Sequence, residues 1–280
     1  MESSSGEVCG GHLAAQSRLD KTALLHRDEL VRIGVNMERV GILGVPFSAL
    51  TEHEVMLHCV ACIESQTPHM VITAGPEFVM RLQSDPRLRS VLTAADLITP
   101  DGIGIVIASR WYGQPIAERV TGVSLTERLL AYAHDQNLRV YFLGATEEAL
   151  QKAMHVLRGR YQGLNITGKN GYFTSDQVDE VLADIMQVRP HILFVGLGQP
   201  RQEEFIATYK DRLGVPLAIG IGGVIDVLGG TVKRAPVMMQ RLHLEWFYRL
   251  LREPSRWRRQ LVLPQFALAA WLDARSRARR

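Results

Sequence analysis

HILFVGLGQPRQEEFIATYKDRLGVPLAIGIGGVID, residues 191–226, decides the fold. HILFVGLG (191–198) is an unbroken apolar run of strand length that ends in glycines, and residues 200–212 place apolar side chains among charges at helical spacing. VPLAIGIGG (215–223) repeats the apolar run and opens a short helix near Asp226. Strand, helix and strand in this order make a βαβ unit, and strands that are apolar on both faces belong to a parallel sheet covered by helices on both sides.

The alternation extends upstream. Strands are predicted at VGILG (40–44), HMVIT (69–73), DLIT (96–99), RVYFLG (139–144) and, at an edge, LNITG (164–168). Helices are predicted over 51–65, 76–93 with a break at Pro86, 102–112, 122–136, 146–161 and 175–188. Thr51 with Glu54 reads as a capping box, and Ser175 as the cap of the helix it opens. The expected class is therefore α/β with a mostly parallel sheet. Such sheets bind ligands at the carboxyl ends of their strands, here Thr73–Glu77, Pro100–Gly104, Gly144–Thr146, Gly196–Gln202 and Gly220–Asp226.

The chain has 280 residues and a net charge of only +3, unevenly spread. From Lys233 to Arg280 twelve Lys or Arg face three Asp or Glu, whereas the preceding residues carry 20 basic and 26 acidic side chains. Trp246, Trp257 and Trp271 are interleaved with those arginines, and Pro236, Pro254 and Pro264 divide the segment into short helices. Aromatic rings among basic groups suit an anionic membrane surface. Apolar runs such as LVLPQFALAAWL are not needed to contact nucleic acid, so none is expected as a partner; a helical lid or a homo-oligomer interface is the structural alternative. The expected organisation is a flexible extension over 1–36, a core over 37–231 and a helical, membrane-binding appendage over 232–280. The opening residues lack a basic start and an apolar core, and no stretch has the ~18–20 apolar residues that span a bilayer, so a cytoplasmic location is expected. Cys59 and Cys62 form a C-x-x-C, but Val55, Cys59, Cys62 and Ile63 fall on one helical face, which favours core packing over metal or redox chemistry.

Two glycine turns follow neighbouring strands. G-L-G-Q-P-R-Q-E (196–203), with Gly196 and Gly198, and G-I-G-G-V-I-D (220–226), with Gly222, Gly223 and Asp226, let a phosphate approach backbone N–H groups. The first is not a dinucleotide fingerprint, because Arg201 replaces its third glycine. Asp101, in T-P-D-G (99–102), has two readings: a general base, or the N-cap of helix 102–112. Arg119, in E-R-V-T-G (118–122), is either a plain surface charge or an anion ligand.

Taken in order, T-x-x-x-E (73–77), P-D-G (100–102), E-R-V-x-G (118–122), Y-F-L-G-A (141–145), G-Y-F-T (171–174), F-V-G-L-G-Q-P-R-Q-E (194–203), G-x-G-G-x-x-D (220–226), V-K-R-A-P (232–236) and L-E-W-F-Y-R-L-L-R-E-P (244–254) resemble the TagA/WecG/CpsF family of bacterial glycosyltransferases. The resemblance implies a Rossmann-like core with a membrane-docking C-terminal appendage. It implies an inverting, metal-independent transfer from a UDP-sugar (N-acetylmannosamine, its uronic acid or a related hexose) to an undecaprenyl-diphosphate-linked sugar, with no cofactor. It assigns Asp101 as candidate base, Thr73 and Gln202 to the same pocket, Arg119 to the diphosphate or acceptor, and Gly222 and Gly223 to the nucleotide. Arg249, Arg252 and Arg256 would face lipid phosphate or the leaving UDP. The family usually carries Asn where this chain has Gly75, and often Asp where it has Ser124. The rival readings are a soluble nucleotide-sugar-modifying enzyme and a non-catalytic, membrane-associated nucleotide binder.

Overall fold

The computed structural model describes residues 38–232, 235–236, 238–239, 245–252 and 261–279. Six strands form one parallel sheet: β3 (His69–Ala74), β4 (Leu97–Pro100), β5 (Arg139–Gly144), β6 (Asn165–Lys169), β7 (Ile192–Gly196) and β8 (Leu217–Gly220). Their order is β4-β3-β8-β7-β5-β6, and every neighbouring pair is parallel. The expected Rossmann-like α/β class is correct.

Apolar side chains alternate between the two faces of this sheet. Met70, Ile72, Tyr141, Leu143, Leu193 and Val195 join a core with Leu182 of helix α7 (Val178–Val188) and Phe205 of helix α8 (Arg201–Leu213). Their neighbours Val71, Phe142, Phe194 and Ile219 point the other way and are equally buried, with the Phe142 and Phe194 rings stacked 5.1 Å apart. On that second side, helices α1 (Glu52–Ser65), α5 (Gly122–Asp135), α9 (Val224–Leu228) and α6 (Glu147–Arg160) pack in that spatial order. Cys59 and Cys62 belong to the buried face of α1; burial pushes the Cys59 thiol far up and that of Cys62 to about 12. The C-x-x-C is core.

The connections of β5 and β7 leave in opposite directions, towards β6 and β8, which opens a crevice between their carboxyl ends. There, a Cβ on Gly144 would collide with the Gly196 carbonyl oxygen. On the far side, helix α2 (Pro76–Ser84), the 3₁₀ turn Pro86–Leu88 and helix α3 (Arg89–Ala94) link β3 to β4, so the chain does break at Pro86. Helix α4 (Ile103–Trp111) follows β4.

Three local expectations need correction. Residues 40–44 are not one strand: β1 (Arg39–Ile42) and β2 (Val45–Ser48) form an antiparallel hairpin. Its two-residue turn has Leu43 at φ 49° and Gly44 at φ 81°. Both values suit the primed turns that match strand twist, but a leucine in the first position hides the signal. Ser175 caps nothing. The Thr174 amide and hydroxyl donate to Gln177 Oε1 at 3.0 and 3.1 Å, so the cap sits one residue earlier, before the 3₁₀ turn Ser175–Gln177. Nor is Asp101 the cap of the following helix, because Gly102, at φ 157°, occupies the cap position of α4. The predicted capping box at Thr51 and Glu54 is present.

In the tail, helices α10 (Glu245–Arg252) and α11 (Val262–Arg277) are described. Pro264 falls in the first turn of α11, where the ring meets no carbonyl of a preceding turn. Phe266, Ala270 and Ala274, spaced by four, bury one face of α11 against α2 and α4. Tyr112 Oη donates to Asp273 Oδ2 at 2.8 Å, and Arg277 Nη1 donates to the Gly41 carbonyl at 3.1 Å, tying α11 to the hairpin. Arg256 lies outside the described residues, as do residues 1–36 and the side chains of Arg249 and Arg252.

Candidate active site

The end of β3, the residue that follows β4 and the first residue of α9 meet around Gly122, the first residue of α5. A Cβ on Gly122 would sit 3.3 Å from Thr73 Oγ1, 3.6 Å from Asp101 Oδ2 and 3.7 Å from Val224 Cγ2. The ends of β3 and β4 and the starts of α5 and α9 therefore share one spot.

Asp101 is half-buried there, and its Oδ2 accepts from the Gly122 N–H at 3.1 Å. The carboxylate thus lies at the N-terminus of α5, where the exposed amides of the helix end favour negative charge. Its backbone is fixed as well: Asp101 N donates to Ala74 O at 2.9 Å, and Val120 N donates to Pro100 O at 3.1 Å. Gly75 runs so close that a Cβ would lie 2.7 Å from the Asp101 carbonyl oxygen. A side chain at position 75 would therefore require the Asp101 backbone to shift. Ser124, the other departure, completes the start of α5: its N–H donates to Thr121 Oγ1 at 3.1 Å.

Thr73 and Gln202 support the backbone rather than opening onto solvent. Thr73 Oγ1 donates to the Gly220 carbonyl at 3.0 Å, holding the end of β3 to that of β8, and the residue is 5% exposed. Gln202 is 1% exposed; its Oε1 accepts from the Gly222 N–H at 2.9 Å and its Nε2 donates to Glu203 Oε1 at 2.7 Å. The two glycine turns touch directly, since a Cβ on Gly196 would stand 2.7 Å from the Gly222 carbonyl oxygen. Gly222 has φ 55°, and a side chain on it or on Gly198 would meet no atom within 4 Å. Both glycines therefore border open space. Gly223 is the N-cap of α9, and a Cβ on it would be 3.7 Å from Asp226 Oδ2.

Two amides expected to await an anion are engaged, Gly222 N by Gln202 and Gln202 N by the Gly198 carbonyl at 3.0 Å. Arg119 Nη1 pairs with Glu245 Oε2 of α10 at 2.8 Å.

Three contributors escaped the sequence reading. Gln199 Nε2 donates to the Thr73 carbonyl at 3.3 Å, bridging the turn after β7 to the end of β3. Glu203 is fully buried under the turn after β8, and Oε2 has no hydrogen-bond partner. Burial raises its carboxyl to about 7, against the lowering effect of the Gln202 amide. An acid on the buried side of α8, two residues before Phe205, was the available signal. Glu245 carried no signal, because its partner is 126 positions away in sequence. Among the described residues, no three His, Cys, Asp or Glu side chains are grouped to hold a metal ion.

The class is a parallel α/β sheet, whose ligands bind outside the carboxyl ends of the strands, where Asp101 and the two touching glycine turns lie. The chain belongs to the glycosyl transferase WecG/TagA/CpsF family, whose pattern matches residues 40–280, and it is a glycosyltransferase. It is 39% identical over 209 residues to the N-acetylglucosaminyldiphosphoundecaprenol N-acetyl-beta-D-mannosaminyltransferase of Bacillus spizizenii strain W23, covering 75% of this chain and 81% of that one. Proteins of the same description from Bacillus subtilis strain 168 and Staphylococcus aureus strain MW2 are each 33% identical, over 77% and 82% of this chain and 84% and 91% of theirs.

Proposed function

We propose that the chain transfers a sugar from a UDP-sugar to an undecaprenyl-diphosphate-linked sugar, with inversion and without a metal. The donor is N-acetylmannosamine, its uronic acid or a related hexose. The relatives' descriptions support an N-acetylmannosaminyl donor group and an N-acetylglucosamine acceptor on the lipid diphosphate. The observation that carries the reading is the convergence at Gly122, which sets the Asp101 carboxylate beside Thr73 and the start of α9, the helix opened by the second glycine turn.

In this reaction Asp101 takes the proton of the acceptor hydroxyl as that oxygen attacks the anomeric carbon. The bond from that carbon to the UDP oxygen breaks, and the diphosphate leaves with the electron pair. Approach from the face opposite the leaving group inverts the centre. The leaving charge falls at the glycine turns, which border open space at Gly198 and Gly222. Fixed dipoles at such a place supply the larger share of the stabilisation. Asp101 is itself held by Gly122 and Ala74, so little reorganisation precedes proton transfer.

The lipid acceptor places the reaction at the cytoplasmic face of a membrane, with the enzyme bound peripherally. No helix among the described residues is long and apolar enough to cross a membrane. Leu268, Trp271, Leu272 and Arg275 of α11 are exposed, as are Leu261 just before the helix and Arg279 just after it. Apolar side chains at headgroup depth with arginines alongside suit an anionic bilayer.

The test is a panel of UDP-sugars with a lipid-diphosphate N-acetylglucosamine acceptor in anionic vesicles, read by UDP release and by NMR of the new anomeric centre. One donor should give a single inverted product without added metal. UDP release that ignores the acceptor, or a retained anomer, would refute the assignment.

A further inference from the structure

The Arg119–Glu245 pair joins the tail to the strip of chain that positions Asp101. Residues 119–122 run along the end of β4: Val120 N donates to Pro100 O, and Gly122 N donates to Asp101 Oδ2. Arg119 leaves this strip and meets Glu245, the first residue of α10, at 2.8 Å. Both side chains are largely screened from water, at 16% and 19% exposure. Trp246 and Phe247, the next two residues of α10, stand 40% and 41% exposed, their rings in edge contact at 5.7 Å. One end of α10 is thus held by an ion pair against the site while its aromatic residues face outward.

We propose that Glu245 is a positioning residue, and that its pair with Arg119 is the latch that holds α10, with Trp246 and Phe247 facing outward to meet the lipid-borne acceptor, against the strip that positions Asp101. This rests on the glycosyltransferase reading above and deepens it. The geometry assigns the charge of Arg119 to α10 rather than to the diphosphate. An exposed ion pair would hold little, because water and salt screen it, but a pair shielded on both sides leaves an uncompensated charge when one member is removed. Loss of Glu245 therefore frees α10 and leaves Arg119 without its anion, while Asp101, Gly122 and the glycine turns keep their own hydrogen bonds. The defect should fall on the lipid-borne acceptor and spare the nucleotide.

The test uses the full chain with four variants: Glu245→Gln, Arg119→Glu, Glu245→Arg and the double exchange R119E/E245R. Readouts are transfer to the acceptor in vesicles and UDP binding in solution by calorimetry. Glu245→Gln should lower kcat/KM for the acceptor at least tenfold and change UDP affinity less than threefold. The double exchange rebuilds the pair in reverse and should transfer at least tenfold faster than either charge-reversed single variant. Full transfer by Glu245→Gln would overturn the latch. So would an exchange no better than Arg119→Glu, since substrate would then need the arginine where it stands. An equal loss of UDP affinity would also overturn it by placing the fault in the nucleotide cradle or the fold. Absence of UDP release by the unaltered protein with every donor would refute the glycosyltransferase reading instead.

Discussion

Replacing Glu203 by Gln tests whether a buried acid under the glycine turn strains the fold. Glu203 ionises near 7 in the folded protein because burial penalises its charge, against 4.5 for an ordinary glutamate. Between those values the folded chain retains a proton that the unfolded chain has released, so unfolding liberates a proton. The stability linked to this group is complete below 4.5 and declines as pH rises to 7; above that, the whole cost of the buried charge is felt. At 1.36 kcal/mol for each pH unit, the full penalty is about 3 kcal/mol, and the part acquired between pH 5 and pH 8 is about 2.5 kcal/mol. Glu203→Gln removes the ionisation while keeping an oxygen to accept from Gln202 Nε2, so the Gly222 turn should stay in place. Urea unfolding of both proteins at pH 5 and pH 8 measures the difference. The variant should gain about 2.5 kcal/mol on the unaltered protein between these conditions. Parallel pH dependence in the two proteins would refute the idea that Glu203 is buried with a raised pKa.

Asp101→Asn keeps an oxygen to accept from Gly122 and removes the base; kcat should fall by roughly 10²–10⁴ while UDP affinity in calorimetry is unchanged. Transfer near the original rate would exclude Asp101 as the base. Gly75→Asn, the residue the family usually carries, would place a Cβ 2.7 Å from the Asp101 carbonyl oxygen. Here it should cost about 1–3 kcal/mol in urea unfolding and reduce kcat; unaltered stability and rate would show that the Asp101 backbone yields freely. Phe266→Ala empties the contact of α11 with α2 and α4 and should cost about 3–5 kcal/mol where unfolding is cooperative. Limited proteolysis should then cut before α11 faster than in the unaltered protein, and equal rates would mean that the packing of α11 does not depend on Phe266.

The sheet was legible because its signal is local and redundant. ILFVG and LAIGI can be satisfied on both faces only under two layers of helices, and each glycine that ends a strand marks a carboxyl edge. The strand-end rule pointed in the same way to Thr73, inside the end of β3, to Asp101 and to the two glycine turns. The Leu43–Gly44 reversal was less visible, since leucine does not advertise a positive φ, and Thr174 was hidden by an equally plausible cap beside it.

By itself, then, the sequence determined the layered parallel sheet, its carboxyl edge and the family whose motifs lie along that edge. Tertiary structure alone decided what each side chain there meets. It turned Asp101 away from its own helix to the start of α5, set Gln202 under Gly222 and gave Arg119 to Glu245. The physical reason is reach. Periodicity records which face a residue presents within its own element, whereas hydrogen bonds and ion pairs form between groups brought within about 3 Å by elements distant in sequence.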